Sequence, residues 1–401
     1  MAIAVYKVQS SLSQVTEERV SGYLGLLEEA LGERLSLVSA EEFACQPFGL
    51  VFVASGGSEG IFLEQYGKIA GKPLYILTSG ESNSLAASME ILAYLQQHGK
   101  QGEILHGSVA SVAARIKALH RAARAKESLR GMRLGLVGEP SDWLIASPDD
   151  DSAYREKLGL SLVRIPMREL LDEIGKGTYE DNEWTQKLKG LPYDSAELEK
   201  ALAVYGAVKR IVKKYGLAGV SVRCFDLLDS VHTTGCLALA ILNAEGIYAG
   251  CEGDVPSLVS MVILGEVSGE PVFMCNPSRI DTANGEMVLA HCTLPVNMPY
   301  HMDLTTHFES GIGVAIAGSI PEKACTIFKV SATLDRYFAK QGVIAANMRD
   351  PSLCRTQIRL RLDDFSYFLT RPIQNHHLVC LGEHAAALDE LLASVCCAPV
   401  A

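Results

Sequence analysis

Four short segments of the chain put side chains that can bind a cation or move a proton at the ends of apolar runs. In GCEGD, Glu252 and Asp254 follow the run 247–249 inside a glycine-flanked loop. In VFMCNPSRID, a run at 271–274 ends in Cys275 and Asn276 and turns at Pro277; in AHCT, His291 follows the run 287–290. In QNHHLVCLGEH, His376 and His377 precede an apolar strand. A carboxylate with imidazoles is a mixed oxygen and nitrogen donor set suited to a divalent metal such as Mn²⁺, and the carboxylate can also act as a general base. Each group has a structural reading as well. Asp254 suits the N-cap of a helix begun by Pro256 and packed through Leu258, Met261, Val262 and Leu264. A single histidine is ordinarily a satisfied structural residue. Glu252 lies before the capping position, so a structural role explains it least. The segments are too far apart for spacing alone to make them one site.

The elements that must carry these residues alternate. Runs at 51–54 and 74–77 stop at the small-residue loops SGGSEG and TSGESNS, while 13–34 and 84–98 keep helical spacing. Such alternation predicts a parallel sheet with helices on both faces and ligands at the carboxyl edge of the strands. A new strand begins after Gly131, followed by a helix near 196–214, a strand near 219–224, a helix near 232–244 and the GCEGD loop. Beyond about residue 295 the texture changes to alternating segments such as ACTIFKVSAT and TQIRLRL, which predict antiparallel strands. The expected fold class is α/β, with two Rossmann-like parallel-sheet domains over 1–128 and 129–294. A C-terminal antiparallel β-barrel-like domain with a closing helix is expected over 295–401.

Composition narrows the function. The 401 residues are 48% hydrophobic and 21% charged, within the globular range. No apolar run approaches the roughly 20 residues of a spanning helix, and the opening MAIAVYKVQSS reads as a strand and not as a signal peptide. A net charge of −11 argues against a nucleic-acid partner, and the basic stretch 115–130 reads as a solvated helix face. The eleven cysteines are odd in number and form no C-x-x-C pair, which is thiol usage in a reducing compartment. The expected location is the cytoplasm.

GCEGD, then a helix, VFM, VLAHC and NHHLVCLGEHAAALDELL is an order that resembles the core of the L-fucose/L-arabinose isomerase superfamily over roughly 220–400. SNSLAASMEILAYLQ and RLGLVGEPSDWLIAS add weaker support in the N-terminal half. The resemblance implies that Glu252 binds a divalent metal and moves a proton, that His376 is a second ligand, and that His291 is a further one. It implies substrate contacts from Asn375 and from HMDLTTHFESG, where His301, His307 and Glu309 lie. It also implies a homo-oligomer with the active site near a subunit interface, and the loops 55–60 and 79–84 could face a partner's pocket.

One position departs from the pattern. The family's second acid lies at the end of the V-F strand. Counting from Glu252 puts Asn276 there, whereas anchoring on Phe273 puts Cys275 there, and neither is a carboxylate. Asn276 can ligate a metal but cannot shuttle protons near neutrality; Asp281, in SRID, is a possible substitute. Three readings follow: a metal-dependent aldose–ketose isomerase working through an ene-diol with a single base on a monosaccharide or sugar derivative, a different reaction on a sugar-like substrate, or a sugar-binding or regulatory homologue that has lost turnover.

Overall fold

A computed structural model describes residues 2–400. The chain divides into two compact units, Met1–Glu127 and Ser128–Ala401.

The first unit is a five-stranded parallel sheet of β1 (Ile3–Val8), β2 (Leu35–Leu37), β3 (Gly49–Val53), β4 (Leu74–Leu77) and β5 (Gly102–Leu105), in the order β2-β1-β3-β4-β5. Strand side chains alternate between faces, so Leu50 and Phe52 join one core with Val20, Leu24, Leu27 and Leu31. Val51 and Val53 join the other with Phe43, Phe62 and Ile91. Burial on both faces explains why β3 reads as an unbroken apolar run. The helix expected over 13–34 is the shorter Glu17–Leu31, opened by a Thr16 cap and closed by Gly32 in the left-handed region. The two small-residue loops meet at the carboxyl edge, where the Gly56 N–H donates to the Ser82 carbonyl at 2.7 Å.

The second unit opens with a four-stranded parallel sheet, β7-β6-β8-β9, formed by β6 (Arg133–Val137), β7 (Ser161–Ile165), β8 (Gly219–Val222) and β9 (Tyr248–Cys251). It then forms a closed antiparallel barrel from β10 (Phe273–Asp281), β11 (Glu286–His291), β14 (Ala324–Val330), β15 (Arg336–Asn347), β16 (Thr356–Arg361) and β17 (His377–Leu381). The circuit β14-β17-β10-β11-β16-β15 closes through β14–β15 pairing, and a separate hairpin joins β12 (His301–Thr305) to β13 (Ala315–Ser319). The fold class is therefore the expected one.

The barrel draws β10 and β11 from before residue 295, so its start does not coincide with the change in sequence texture. The buried parts of these strands are apolar runs without alternation, which periodicity does not mark as antiparallel. Nor does Pro277 end its strand. β10 continues to Asp281 through a register shift between Pro277 and Arg279, an irregularity that accommodates a residue without an N–H.

The helix Val255–Ser268 touches β8 and β9 on one side and β14 and β17 on the other. Covered all round, it is apolar all round. Its N-terminus is thereby held where the parallel sheet meets the barrel. No helix among the described residues is long and apolar enough to cross a membrane.

Candidate metal centre and adjoining cavity

Glu252 leaves β9 with φ 65°, a left-handed conformation costing a non-glycine residue about 1–2 kcal/mol. The following Gly253, at φ 68°, makes this turn possible. A Cβ there would lie 2.6 Å from the Glu139 carbonyl oxygen and 2.9 Å from Pro140 Cα, both backbone atoms of the loop after β6. The same loop docks through the Ser141 N–H, which donates to the Glu252 carbonyl at 2.9 Å. Gly253→Ala is expected to force this loop away and to lower Mn²⁺ affinity at the candidate centre by about tenfold or more, read by Mn²⁺ titration. Unchanged binding would show that the loop can yield.

Asp254 does more than cap. Its Oδ1 accepts from the Ser257 N–H at 2.8 Å, the capping bond expected from sequence. Its Oδ2 accepts the Ser257 hydroxyl at 2.7 Å and faces His376 Nδ1 at 2.8 Å. An ionised carboxylate only accepts, so Nδ1 carries a proton and Nε2 is the atom turned toward Glu252. This carboxylate–histidine pair fixes ring orientation as in many metal sites. Lys329, wholly buried on β14, completes the chain by donating to Ser257 Oγ at 2.6 Å.

The strand registers gather the remaining groups at the barrel rim. Cys275 lies opposite His377 and Asn276 opposite Ala290, which brings Asn276 alongside His376 and His291. His376 Nε2 lies 3.5 Å from Glu252 Oε1, too long for a good hydrogen bond, and this buried nitrogen has no hydrogen-bond partner among the described residues. His291 stands edge-on to His376 with ring centroids 5.5 Å apart, and its Nδ1 is engaged by Thr293 Oγ1 at 2.8 Å. One ligand atom from each of Glu252, His291 and His376 lies within 4.8 Å of the others, and all three residues are buried.

The protonation states suit a cation. Burial, with His376 nearby, pushes His291 down to about 3, so its imidazole is neutral and able to ligate. Burial also opposes charge on His376, but the contacts with Asp254 and Glu252 outweigh it and raise the ring to about 9. Burial would raise Glu252, yet contact with His376 holds its carboxyl below the usual range. A carboxylate, a neutral imidazole and a ring nitrogen without a hydrogen-bond partner fit a divalent metal, which would replace the Nε2 proton of His376.

Beside these groups lies a cavity of about 450 Å³, lined among others by Trp143, Phe225, Glu252, Asn276, His291, His307, Glu309 and Asn375. Trp143 packs edge-on to Phe225 with centroids 4.8 Å apart, and Phe225 packs likewise on His307 at 5.6 Å. His307 is held below its usual range, first by burial and then by Arg355, and its Nδ1 meets Ser310 Oγ at 3.0 Å. Glu309 and Asn375 stand exposed at the cavity edge.

Between Cys275 and Asn276, alternation along β10 decides which faces the cavity. Asn276 lines it, whereas the Cys275 thiol is buried and donates to the His377 carbonyl at 3.4 Å. Asp281 is not brought to the site, which corrects its expected place there. It lies roughly 17 Å of extended chain beyond Asn276, exposed in a hairpin turn where its carboxylate accepts the Ala283 and Asn284 N–H groups. His377 is a core residue, with Nε2 meeting the Tyr367 hydroxyl at 3.0 Å, and His301 is exposed beside Asp303.

Sequence reasoning missed Trp143, Phe225 and Lys329. Lys329 left a signal, as the lone charge in the apolar segment ACTIFKV. Trp143 lies in GEPSDWLIAS, the segment that follows β6, where an aromatic residue just beyond a strand end is the signal.

No family model matches the chain. It is similar to the sulfoquinovose isomerase of Clostridium sp. (strain MSTE9), with 27% identity over 240 residues, covering 57% of this chain and 54% of that protein. It is also similar to the sulfoquinovose isomerases of Priestia aryabhattai and Priestia megaterium, each 23% identical over 227 residues, or 53% of this chain and 50% of theirs. The chain spans about half the length of the curated relatives it matches.

Proposed function

We propose that the chain is a divalent-metal-dependent aldose–ketose isomerase acting on a monosaccharide or sugar derivative. The observation that carries this reading is the convergence of Glu252, His291 and His376 at the wall of a polar cavity. Relatives named for isomerisation of a sugar, sulfoquinovose, support both the reaction class and a substrate of that kind. Mn²⁺ suits the mixed donor set, and Asn276, on the same cavity wall, supplies a fourth ligand. When bound, the metal supplies polarisation of the sugar's carbonyl and hydroxyl oxygens.

Glu252 takes the proton from the carbon beside the carbonyl and returns it to the former carbonyl carbon, while the hydroxyl proton on the first carbon's oxygen passes to the former carbonyl oxygen, so that a single carboxylate serves both carbon-proton transfers of the ene-diol pathway. Asn276 orients a hydroxyl through its amide but moves no proton. His307, Asn375 and Glu309 hold the remaining hydroxyls. The odd number and scattered spacing of the eleven cysteines support a cytoplasmic location, and the family resemblance supports a homo-oligomer.

The test is metal analysis followed by an aldose/ketose interconversion screen with added Mn²⁺, with sulfoquinovose among the sugars. Ketose formation that requires Mn²⁺ is the expected result. Sugar-induced thermal stabilisation without metal or turnover would instead assign a sugar-binding role, consistent with Asn276 standing where a second acid is expected.

A further inference from the structure

Trp143 is one of two tryptophans in the chain. Its loop is tied down around the site: Arg223 donates to the Pro140 carbonyl at 2.7 Å and to Asp142 Oδ2 at 3.0 Å, and Gln374 donates to the Ala146 carbonyl at 3.0 Å. Between these ties the Trp143 indole N–H donates to Glu252 Oε2 at 2.6 Å, while the residue remains 52% exposed. This is the one hydrogen bond that the Glu252 carboxylate receives among the described residues. An indole has a single donor and no acceptor, so it engages one carboxylate oxygen and leaves the other. Oε2 is held on the loop side, and Oε1 is turned to face His376 Nε2. Ordering a flexible glutamate in advance removes part of the entropic cost of binding.

We propose that Trp143 is a positioning residue which, through its indole N–H, presets Glu252 with Oε1 directed at a divalent cation shared with His376 and His291. This rests on the metal reading above and names what makes that site bind. Oε2 keeps the indole while Oε1 serves the cation, so the two do not compete.

Calorimetric titration of the full chain with Mn²⁺ tests it. A hydrogen bond to a charged group lost in Trp143→Phe should weaken Mn²⁺ binding by about 10- to 100-fold, although the aromatic contact with Phe225 is kept. Ile145→Ala, on the same loop and 91% exposed, should leave binding unchanged. With Trp184→Phe as background, Trp143 is the sole tryptophan, and its emission should change over the same Mn²⁺ range. Equal affinity in Trp143→Phe and the unmodified chain would overturn this inference and leave the metal reading standing. Equal weakening by Ile145→Ala would overturn it too, by assigning the effect to the loop as a whole. No Mn²⁺ binding by the unmodified chain would overturn the metal reading, and this inference with it.

Discussion

Glu252→Gln is expected to lower aldose–ketose turnover by about 10²–10⁴-fold, the usual contribution of a positioned base. Shape is almost unchanged by the substitution, so the loss arises from chemistry. The Trp143 N–H, 2.6 Å from Oε2, would select the amide oxygen as its acceptor. The amide nitrogen would then occupy the Oε1 position, 3.5 Å from His376 Nε2, and present hydrogens where a cation needs a lone pair. On the proposed mechanism, one change removes both the proton carrier and a ligand. Steady-state kinetics and Mn²⁺ titration on the same preparation check both effects. An unchanged kcat would place the chemistry elsewhere.

Asp254→Ala is expected to cost about 3–5 kcal/mol of stability, the range for breaking a buried charge pair from one side, and to weaken metal binding about 10- to 100-fold through the loss of an orienting partner. Burial would raise the carboxyl of Asp254, but Lys329 and His376 hold it far below the usual range. Burial pulls Lys329 down to about 8 even with Asp254 present. Without Asp254 the fully buried lysine has no carboxylate to offset its charge, and the helix Val255–Ser268 loses its cap. Urea unfolding at neutral pH gives the first number.

The lysine contribution also has a pH signature. Its folded pKa lies below its unfolded value, so the unfolded chain binds the proton more tightly, and stability from this group rises as pH goes from about 8 towards 10.5. Adding Lys329→Met to Asp254→Ala should restore stability without restoring metal affinity, because His376 still lacks its guide. Recovery of both would mean that Asp254 acts only through the lysine.

Much of the scaffold was legible because it is local. Strand ends, the Asp254 cap and the apolar helix after it follow from hydrogen bonding and burial over a few residues. The GCEGD, AHC and NHH segments stood out because each places a polar ligating side chain just outside an apolar strand. Spacing did not tell His376 from His377, since both adjoin the same strand and differ only in the face they present. Asp281 looked available because it is near in sequence; an extended strand carries it away from the rim.

What the sequence by itself determined is the order of elements and the carboxylate and imidazole groups at their ends. Which of those groups meet was decided by the tertiary structure. Glu252 meets Trp143 across 109 residues, and Asp254 meets His376 across 122. Contacts at such separation depend on barrel register and on where one buried helix is held between sheet and barrel. A one-residue slip in register reverses every side chain of a strand, so Asn276 rather than Cys275 reaches the cavity only because β10 pairs with β11 and β17 as it does.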